Sequence, residues 1–275
     1  MEPVEIERIE VNLLLEAIFQ RYGYDFRDYA RASIERRLSQ FLKDSGIADL
    51  STVTSQLLRD PAFFHRLVPY FSVSVTSLFR DPPFYKALRE KVVPMLRTWP
   101  RFKVWHAGCA TGEEVYSVAI VLREAGLLDR AMLYGTDISQ PALDTAKAGI
   151  YPLEILKQGS ANYQKSGGTG SLSDHYHAKY DVAVMNAALV KQITIARHNL
   201  AMDKSFGEVQ MVVCRNVLIY FNQDLQNLVL KLFLDSLDHG GFLCLGDKES
   251  LSFSAVEHAF VAVDEKARIY KKRVM

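Results

Sequence analysis

The stretch Phe102 to Tyr116, FKVWHAGCATGEEVY, constrains this chain most. An apolar strand over Lys103 to Trp105 runs into a small-residue turn, Ala107-Gly108-Cys109-Ala110-Thr111-Gly112, which opens directly onto a helix. On that helix Val115, Val118, Ala119 and Leu122 fall at i, i+3, i+4 and i+7, so one face is buried. Strand, glycine turn and helix is how an open α/β sheet lets its backbone approach a nucleotide-like ligand at the carboxyl end of a strand. Glu113 and Glu114 place negative charge at the helix start, which suits the helix dipole but repels a pyrophosphate. The ligand this favours is cationic, or a nucleoside without phosphates. S-adenosylmethionine has that character, with a sulfonium, an ammonium and an adenosine. An ordinary βα turn with an acidic first helical turn fits the same residues.

At 275 residues the chain holds one large domain or two small ones. A formal net charge of +1 argues against a general polyanion binder, so electrostatic recognition has to be local. The three cysteines, Cys109, Cys214 and Cys244, form no CxxC pair, which points to a reducing compartment and no metal site. The opening MEPVEIERIE is acidic and lacks the apolar core of a signal peptide, and no apolar run approaches membrane-spanning length. The expected location is the cytoplasm, and a monomer is the default expectation.

Residues 1 to about 95 read as an all-helical domain. Ile6, Ile9, Leu13 and Ala17 mark one helix, ending near Tyr22-Gly23. A second runs from about Asp28 to Lys43 with Gly46 as its stop, burying Ile34, Leu38, Phe41 and Leu42. Arg36 and Lys43 project from its opposite face, flanked by Arg31 and Arg37. These charges form either a solvated face or a docking surface for an acidic partner. Short helices follow from Ser51 and Pro61. Then Phe71 to Asp81 alternates small polar and apolar residues before Pro82-Pro83, with a helix expected over Phe84 to Leu96. Arg80 can pair with Asp81 or hold a carboxylate in a bidentate grip.

From residue 96 onward the pattern is a doubly wound, mostly parallel α/β sheet. The second strand, Ala131 to Asp137, ends in an acid placed to accept hydrogen bonds from ribose hydroxyls. The alternative is an N-cap, but Ser139 before Gln140-Pro141 is the natural cap and leaves Asp137 free. Residues from about 155 to 193 read as a small inserted β-subdomain. His175, His177 and His198 match no metal-site spacing. Strands follow over Ile193 to Arg197 and Val209 to Cys214. A helix from Asn222 buries Leu225, Leu228, Val229 and Leu232 and ends at Gly240-Gly241, before a strand over Phe242 to Leu245 and a closing hairpin around Asp264-Glu265-Lys266. Strand–helix units with a terminal antiparallel hairpin are the signature of that sheet.

Four ordered motifs carry a family resemblance: Val75-Thr76-Ser77-Leu78-Phe79-Arg80-Asp81, Ala110-Thr111-Gly112-Glu113-Glu114-Val115-Tyr116-Ser117, Thr136-Asp137-Ile138-Ser139, and Cys214-Arg215-Asn216-Val217-Leu218-Ile219-Tyr220-Phe221. The chain resembles the CheR family of chemotaxis receptor glutamate methyltransferases over nearly its whole length. The resemblance implies a class I methyltransferase fold, S-adenosylmethionine as cofactor and S-adenosylhomocysteine as product. It implies that Ser74, Thr76, Arg80, Gly108, Asp137, Asn199, Leu200, Asn216 and Val217 bind the cofactor, with Glu113 or Glu114 facing its ammonium. It places Arg80 and Tyr220 by the transfer site. It matches the basic helix, with Arg31, Arg36 and Arg37, to an element engaging the receptor's helical methylation region. It matches the inserted segment to a β-subdomain that in some members docks a receptor C-terminal peptide.

Three positions depart from the family pattern. Ser74 stands where Asn is usual, Val115 replaces a common Pro, and Asp247-Lys248 precedes Glu249 where His-Ser is usual. The chemistry implied is an in-line displacement by a glutamate that is already ionised at pH 7, so no general base is required. Two other readings fit less well. A nucleobase methyltransferase usually carries an Asn/Asp-Pro-Pro-aromatic motif where this chain has Arg215-Asn216-Val217-Leu218. A non-catalytic S-adenosylmethionine sensor would not need both Arg80 and Tyr220.

Overall fold

The computed structural model describes residues 3–71 and 76–274. Ser74, one of the expected cofactor contacts, lies outside the described residues. The chain packs as two compact units, one of Met1–Val73 with Ile219–Leu228, the other of Ser74–Leu218 with Val229–Met275.

The described residues of the first unit begin with the helices α1 (Pro3–Tyr22), α2 (Arg31–Ser45), α3 (Leu50–Arg59) and α4 (Pro61–Phe71). Gly46 ends α2 in the left-handed conformation. The Asp49 carboxylate caps α3 by accepting the Thr52 N–H at 2.7 Å. On α2 the expected stripe Ile34, Leu38 and Phe41 is buried. On α1 the expected stripe is not: Ile6, Ile9 and Leu13 are 47%, 46% and 59% exposed, while Val11, Leu14, Leu15 and Ile18 form the core. Both sets have helical spacing, and the denser, wider one takes the interior. Stacked rings, Tyr22 on Phe64 at 4.0 Å and Phe26 on Phe71 at 4.7 Å, fill the space between helices. The late segment from Ile219 joins this unit through main-chain bonds. Tyr220 O accepts Ala30 N–H at 2.8 Å, and Asn222 N–H donates to Asp28 O at 2.9 Å.

The second unit begins with α5 (Pro82–Ala87), a π-helical turn over Leu88–Val92, and α6 (Val93–Leu96). The expected helix is therefore present but locally underwound, just before Pro94, which has no N–H to continue a regular ladder. Then come β1 (Phe102–Ala107), α7 (Glu113–Glu124), β2 (Ala131–Asp137), α8 (Gln140–Ala148), β3 (Ile150–Pro152), α9 (Leu153–Lys165), β4 (Tyr176–Lys179), β5 (Val182–Met185) and α10 (Ala187–Val190). Next are β6 (Ile193–Arg197), β7 (Val209–Cys214), α11 (Gln223–Ser236), which crosses from the first unit, β8 (Leu237–Leu245), β9 (Phe260–Asp264) and β10 (Ile269–Lys272). The main sheet has seven strands in the order β6-β2-β1-β7-β8-β10-β9. Its first five strands are parallel and the last two add antiparallel. Central strands buried on both faces explain the nearly unbroken apolar runs of β1 and β7. The expected helix end at Gly240-Gly241 is displaced: α11 stops at Ser236 and both glycines belong to β8. Leu228 is 51% exposed and leaves the buried face to Leu225, Val229 and Leu232.

Within the segment read as an insertion, β4 and β5 pair antiparallel, and β3, which precedes it, adds to them as a second, three-stranded sheet, β3-β5-β4. A buried polar cluster holds it to α7. Glu124 at the end of α7 pairs with Arg89 at 2.5 Å and lies 3.6 Å from His175, and the Tyr163 hydroxyl donates to it. Arg89 also donates to Ser166 O at 3.1 Å. Burial pushes the Glu124 carboxyl up, but the bonds from His175, Tyr163 and Arg89 outweigh it and leave it below its usual 4.5. A carboxyl lowered by folding contributes stability above its unfolded value, lost as pH falls through the folded one. The melting temperature is therefore expected to fall between about pH 5 and about pH 3. Glu124→Gln should melt lower at neutral pH and vary less across that window. Parallel pH profiles for the two proteins would show that Glu124 does not carry this dependence.

Candidate functional site

The strand order reverses at β1: β2 and β6 lie on one side, β7 and β8 on the other. Loops leaving β1 and β7 therefore diverge and open a crevice at the carboxyl edge of the sheet, where open α/β sheets bind ligands. Gly108 begins the loop after β1 at φ 77°. A Cβ there would stand 2.5 Å from Val217 Cγ2, so only glycine allows the two loops this approach. Gly108 N–H and Cys109 N–H both donate to Thr136 O, at 2.8 and 2.9 Å, which pins the turn to β2.

Asp137 is not left free as the sequence suggests. Its Oδ2 accepts Ala110 N–H and its Oδ1 accepts Ser139 N–H, both at 2.9 Å, while the Ser139 side chain makes no cap bond. The carboxylate is the stronger acceptor, so it takes the backbone donors itself. Each oxygen keeps a further lone pair for a ligand. Burial pushes the Asp137 carboxyl up from its usual value.

The two glutamates at the start of α7 have different surroundings. Glu113 is 3% exposed and accepts the Thr111 hydroxyl at 2.6 Å, and burial raises its carboxyl. Glu114 lies 3.4 Å from the buried His106 ring and 3.2 Å from Arg215. Burial pushes Glu114 up as well, but His106 and Arg215 outweigh it and hold the carboxyl below its usual value.

Arg215 directly follows β7, and its sequence position alone signals no role. Its side chain is 2% exposed. One guanidinium nitrogen donates to Glu114 at 3.2 Å and to Arg80 O at 3.3 Å, and the other to Asp81 at 2.7 Å. The group also stacks on Phe84, 4.2 Å from the ring centre. Burial disfavours its charge, but Glu114, Tyr85 and Asp81 more than offset this and raise its pKa. Phe79 and Asp81 adopt left-handed conformations on either side of Arg80, and Phe79 N–H donates to the buried Ser117 hydroxyl at 3.0 Å. Arg80 is half-buried, and among the described residues no carboxylate pairs with its guanidinium. It does not pair with Asp81, which Arg215 takes. Thr76 is half-buried at the start of the same loop.

Asn216 sits at φ 61°, and Asn216 N–H and Val217 N–H donate to Glu249, a second residue without an assigned role, at 3.0 and 2.8 Å. After β6, the Asn199 side chain accepts Ala201 N–H at 3.0 Å, and Leu200 is buried. Their only sequence signals were position: Arg215 adjoins Asn216, and Glu249 follows the atypical Asp247-Lys248. Thr76, Arg80, Gly108, Glu114, Asp137, Asn199, Leu200, Asn216 and Val217 all belong to the second unit, as does the more enclosed Glu113.

Tyr220 belongs to the first unit. There the Arg37 guanidinium lies over its ring at 4.6 Å and donates to Phe71 O at 2.5 Å. Arg37 is thus 7% exposed and is not part of a docking face, because its helical position points inward, where main-chain carbonyls and the ring accept its charge. Arg31 is half-buried and tied to Glu35, Asn12 and Arg8 O. Arg36 is exposed. Cys109, Cys214 and Cys244 are all buried, and among the described residues no group of His, Cys, Asp and Glu could hold a metal ion.

The model of the CheR methyltransferase SAM-binding domain matches residues 74–268, and that of the CheR methyltransferase all-alpha domain matches residues 9–72. A protein of Pseudomonas putida named "Putative methyltransferase Cher3" is 48% identical over 264 residues, 96% of this chain and 97% of that protein. The chemotaxis protein methyltransferase of Salmonella typhimurium is 28% identical over 87% of this chain and 83% of its own length. That of Borreliella burgdorferi is 26% identical over 90% of each. No helix of the described residues is long and apolar enough to cross a membrane. With both family domains matched in order on the fold they require, this chain belongs to the CheR methyltransferase family and is an S-adenosylmethionine-dependent methyltransferase of the chemotaxis type.

Proposed function

We propose that the protein methylates glutamate side chains on the cytoplasmic helical domain of a chemotaxis-type receptor, giving methyl esters. The observation that carries this reading is the match, over 87% of this chain, to a protein named as a chemotaxis methyltransferase. The crevice supports it. Arg215 is one positive charge between two carboxylates, Glu114 and Asp81, so the cluster keeps a net negative charge suited to an ammonium group. Of the two candidate glutamates, Glu114 would hold that ammonium, since it shares Arg215 with the Arg80 loop while Glu113 is turned to Thr111. Asp137 would hold the ribose with its remaining lone pairs. Asn199-Leu200 and Asn216-Val217 would line the adenine and the methionyl end, with Thr76 beside them.

When bound, S-adenosylmethionine supplies a methyl group on a sulfonium, open to in-line displacement and leaving a neutral thioether. The incoming glutamate is ionised at pH 7, so no residue has to remove a proton. Arg80 orients that carboxylate from a loop whose main chain Arg215 and Ser117 hold in place. Opposite charges cancel as the methyl transfers, so Arg80 has to align the carboxylate without binding it so strongly that the ground state is favoured. The ester removes a charge from the receptor and relieves repulsion between its packed helices, a signalling output.

Four substitutions test this reading. Gly108→Ala should push Val217 aside and weaken S-adenosylhomocysteine binding by more than about tenfold, on the scale of a tight core clash. Adding Val217→Ala removes the clashing methyl and should restore in calorimetry only the part of the loss due to the clash, since alanine at φ 77° stays strained. Wild-type affinity in folded Gly108→Ala would place the cofactor elsewhere. Arg80→Ala should lower turnover with labelled methyl donor and receptor by about 100-fold while cofactor affinity changes far less. Equal losses in both would confine Arg80 to cofactor binding. Arg36→Glu should raise the KM for receptor and leave cofactor affinity alone, and unchanged kinetics would make Arg36 an ordinary solvated charge.

A further inference from the structure

Glu249 lies on the loop leaving β8 and is 4% exposed. Among the described residues its carboxylate accepts main-chain N–H bonds from two loops. Oε2 takes Gly246 at 2.6 Å and Asn216 at 3.0 Å, and Oε1 takes Val217 at 2.8 Å. Two of these donors belong to a different loop, the one leaving β7 into the crevice. Asn216 is held there at φ 61°, a left-handed conformation that non-glycine residues visit uncommonly. Gly246 lies against the same turn: a Cβ on it would meet Asn216 N and Glu249 Oε2 at 2.8 Å each. The next residue, Val217, is the one that faces Gly108 across the crevice.

These contacts form one chain of position. Glu249 places the Asn216-Val217 main chain, and that main chain sets how closely Val217 approaches Gly108. We infer that Glu249 is a positioning residue for the cofactor, acting through the Asn216-Val217 turn and without touching the reacting atoms. The inference rests on the assignment of the cofactor to this crevice. A carboxylate suits the task because it is acceptor-only on both oxygens. An amide of the same shape would turn an NH2 group against a main-chain donor. Its neighbours Asp247 and Lys248 are exposed, whereas Glu249 is buried.

Glu249→Gln is the variant to make, with Glu257→Gln as its control. Glu257 is exposed and accepts Phe253 N–H at 2.8 Å, so its loss loosens the same loop without reaching the turn. Calorimetry with S-adenosylhomocysteine should show Glu249→Gln weakened by at least about tenfold at a temperature where it is folded, the scale of a lost charge-assisted bond. Glu257→Gln should bind like the wild type. Where Glu249→Gln does not fold, Glu249→Asp, which keeps the charge but retracts it by one methylene, takes its place with the same expectation. On the wild type itself, S-adenosylhomocysteine should slow amide exchange at Asn216 and Val217. Wild-type affinity in a folded Glu249 variant, or no slowing of exchange at those amides, overturns the inference while leaving cofactor binding intact. No binding by the wild type overturns the crevice assignment, and the inference with it.

Discussion

The site depends on a single buried guanidinium. Arg215 reaches from the end of β7 to the first turn of α7 and to the loop before α5, bonding Glu114, Asp81 and the Arg80 carbonyl together. A buried ion pair is a poor source of stability, since desolvation cancels much of the attraction. What it provides is geometry. Removing Arg215 itself would leave the enclosed Glu114 carboxylate without its cation, so the three segments are disfavoured from moving apart. Arg supplies this where Lys could not, because its planar fork addresses several acceptors from fixed directions. The stacking of Phe84 against the same group fixes its plane.

Around that centre, carboxylates hold main chain. Asp137 binds the N–H groups of Ala110 and Ser139, and Glu249 those of Gly246, Asn216 and Val217. Ala110 and Asn216 both have positive φ, so each tie stabilises a conformation that local sterics oppose. A crevice walled by main chain needs such ties. Its loops have few side chains to pack, and the glycine that permits close approach at Gly108 adds no stiffness of its own. Acidic side chains thus serve twice, as fasteners of the turns and as the negative lining suited to a cationic ligand.

The elements that periodicity governs could be read from the sequence. Strand β1, its glycine turn, the acidic start of α7 and the acid ending β2 all lie where their residues suggest, because each is set within a dozen residues of chain. The roles of Arg215 and Glu249 could not be read. Their partners lie 134 and 33 residues away in sequence, and no spacing rule reports a contact of that kind. Arg37 shows the same limit. Beside Arg36 on a basic helix it looks like a surface charge, yet the carbonyls of α4 and the Tyr220 ring draw it inside. On α1 two apolar stripes of equal period compete, and only tertiary packing chooses between them. Asp137 stands at the tip of β2, where its sequence position puts it, but it also ties down main chain. A carboxylate beside unpaired backbone N–H groups binds them before any ligand arrives.

Methyl transfer between a sulfonium and a carboxylate destroys both charges, and that shapes what a protein can contribute. A site that stabilised either charge strongly would deepen the ground state and slow the step. The barrier is lowered instead by alignment and by exclusion of water. On the proposed reading, the crevice has the properties this requires. Its strong electrostatic bonds, at Arg215, Asp137 and Glu249, are directed at the protein's own backbone and side chains. Arg80 stands apart from them, with a main chain held on both sides and a guanidinium that no carboxylate among the described residues engages. An arm of that kind can orient an incoming carboxylate at little reorganisation cost and release it once the ester is neutral. On the proposed reading, the rigidity needed for alignment resides in residues other than the one that orients the incoming carboxylate.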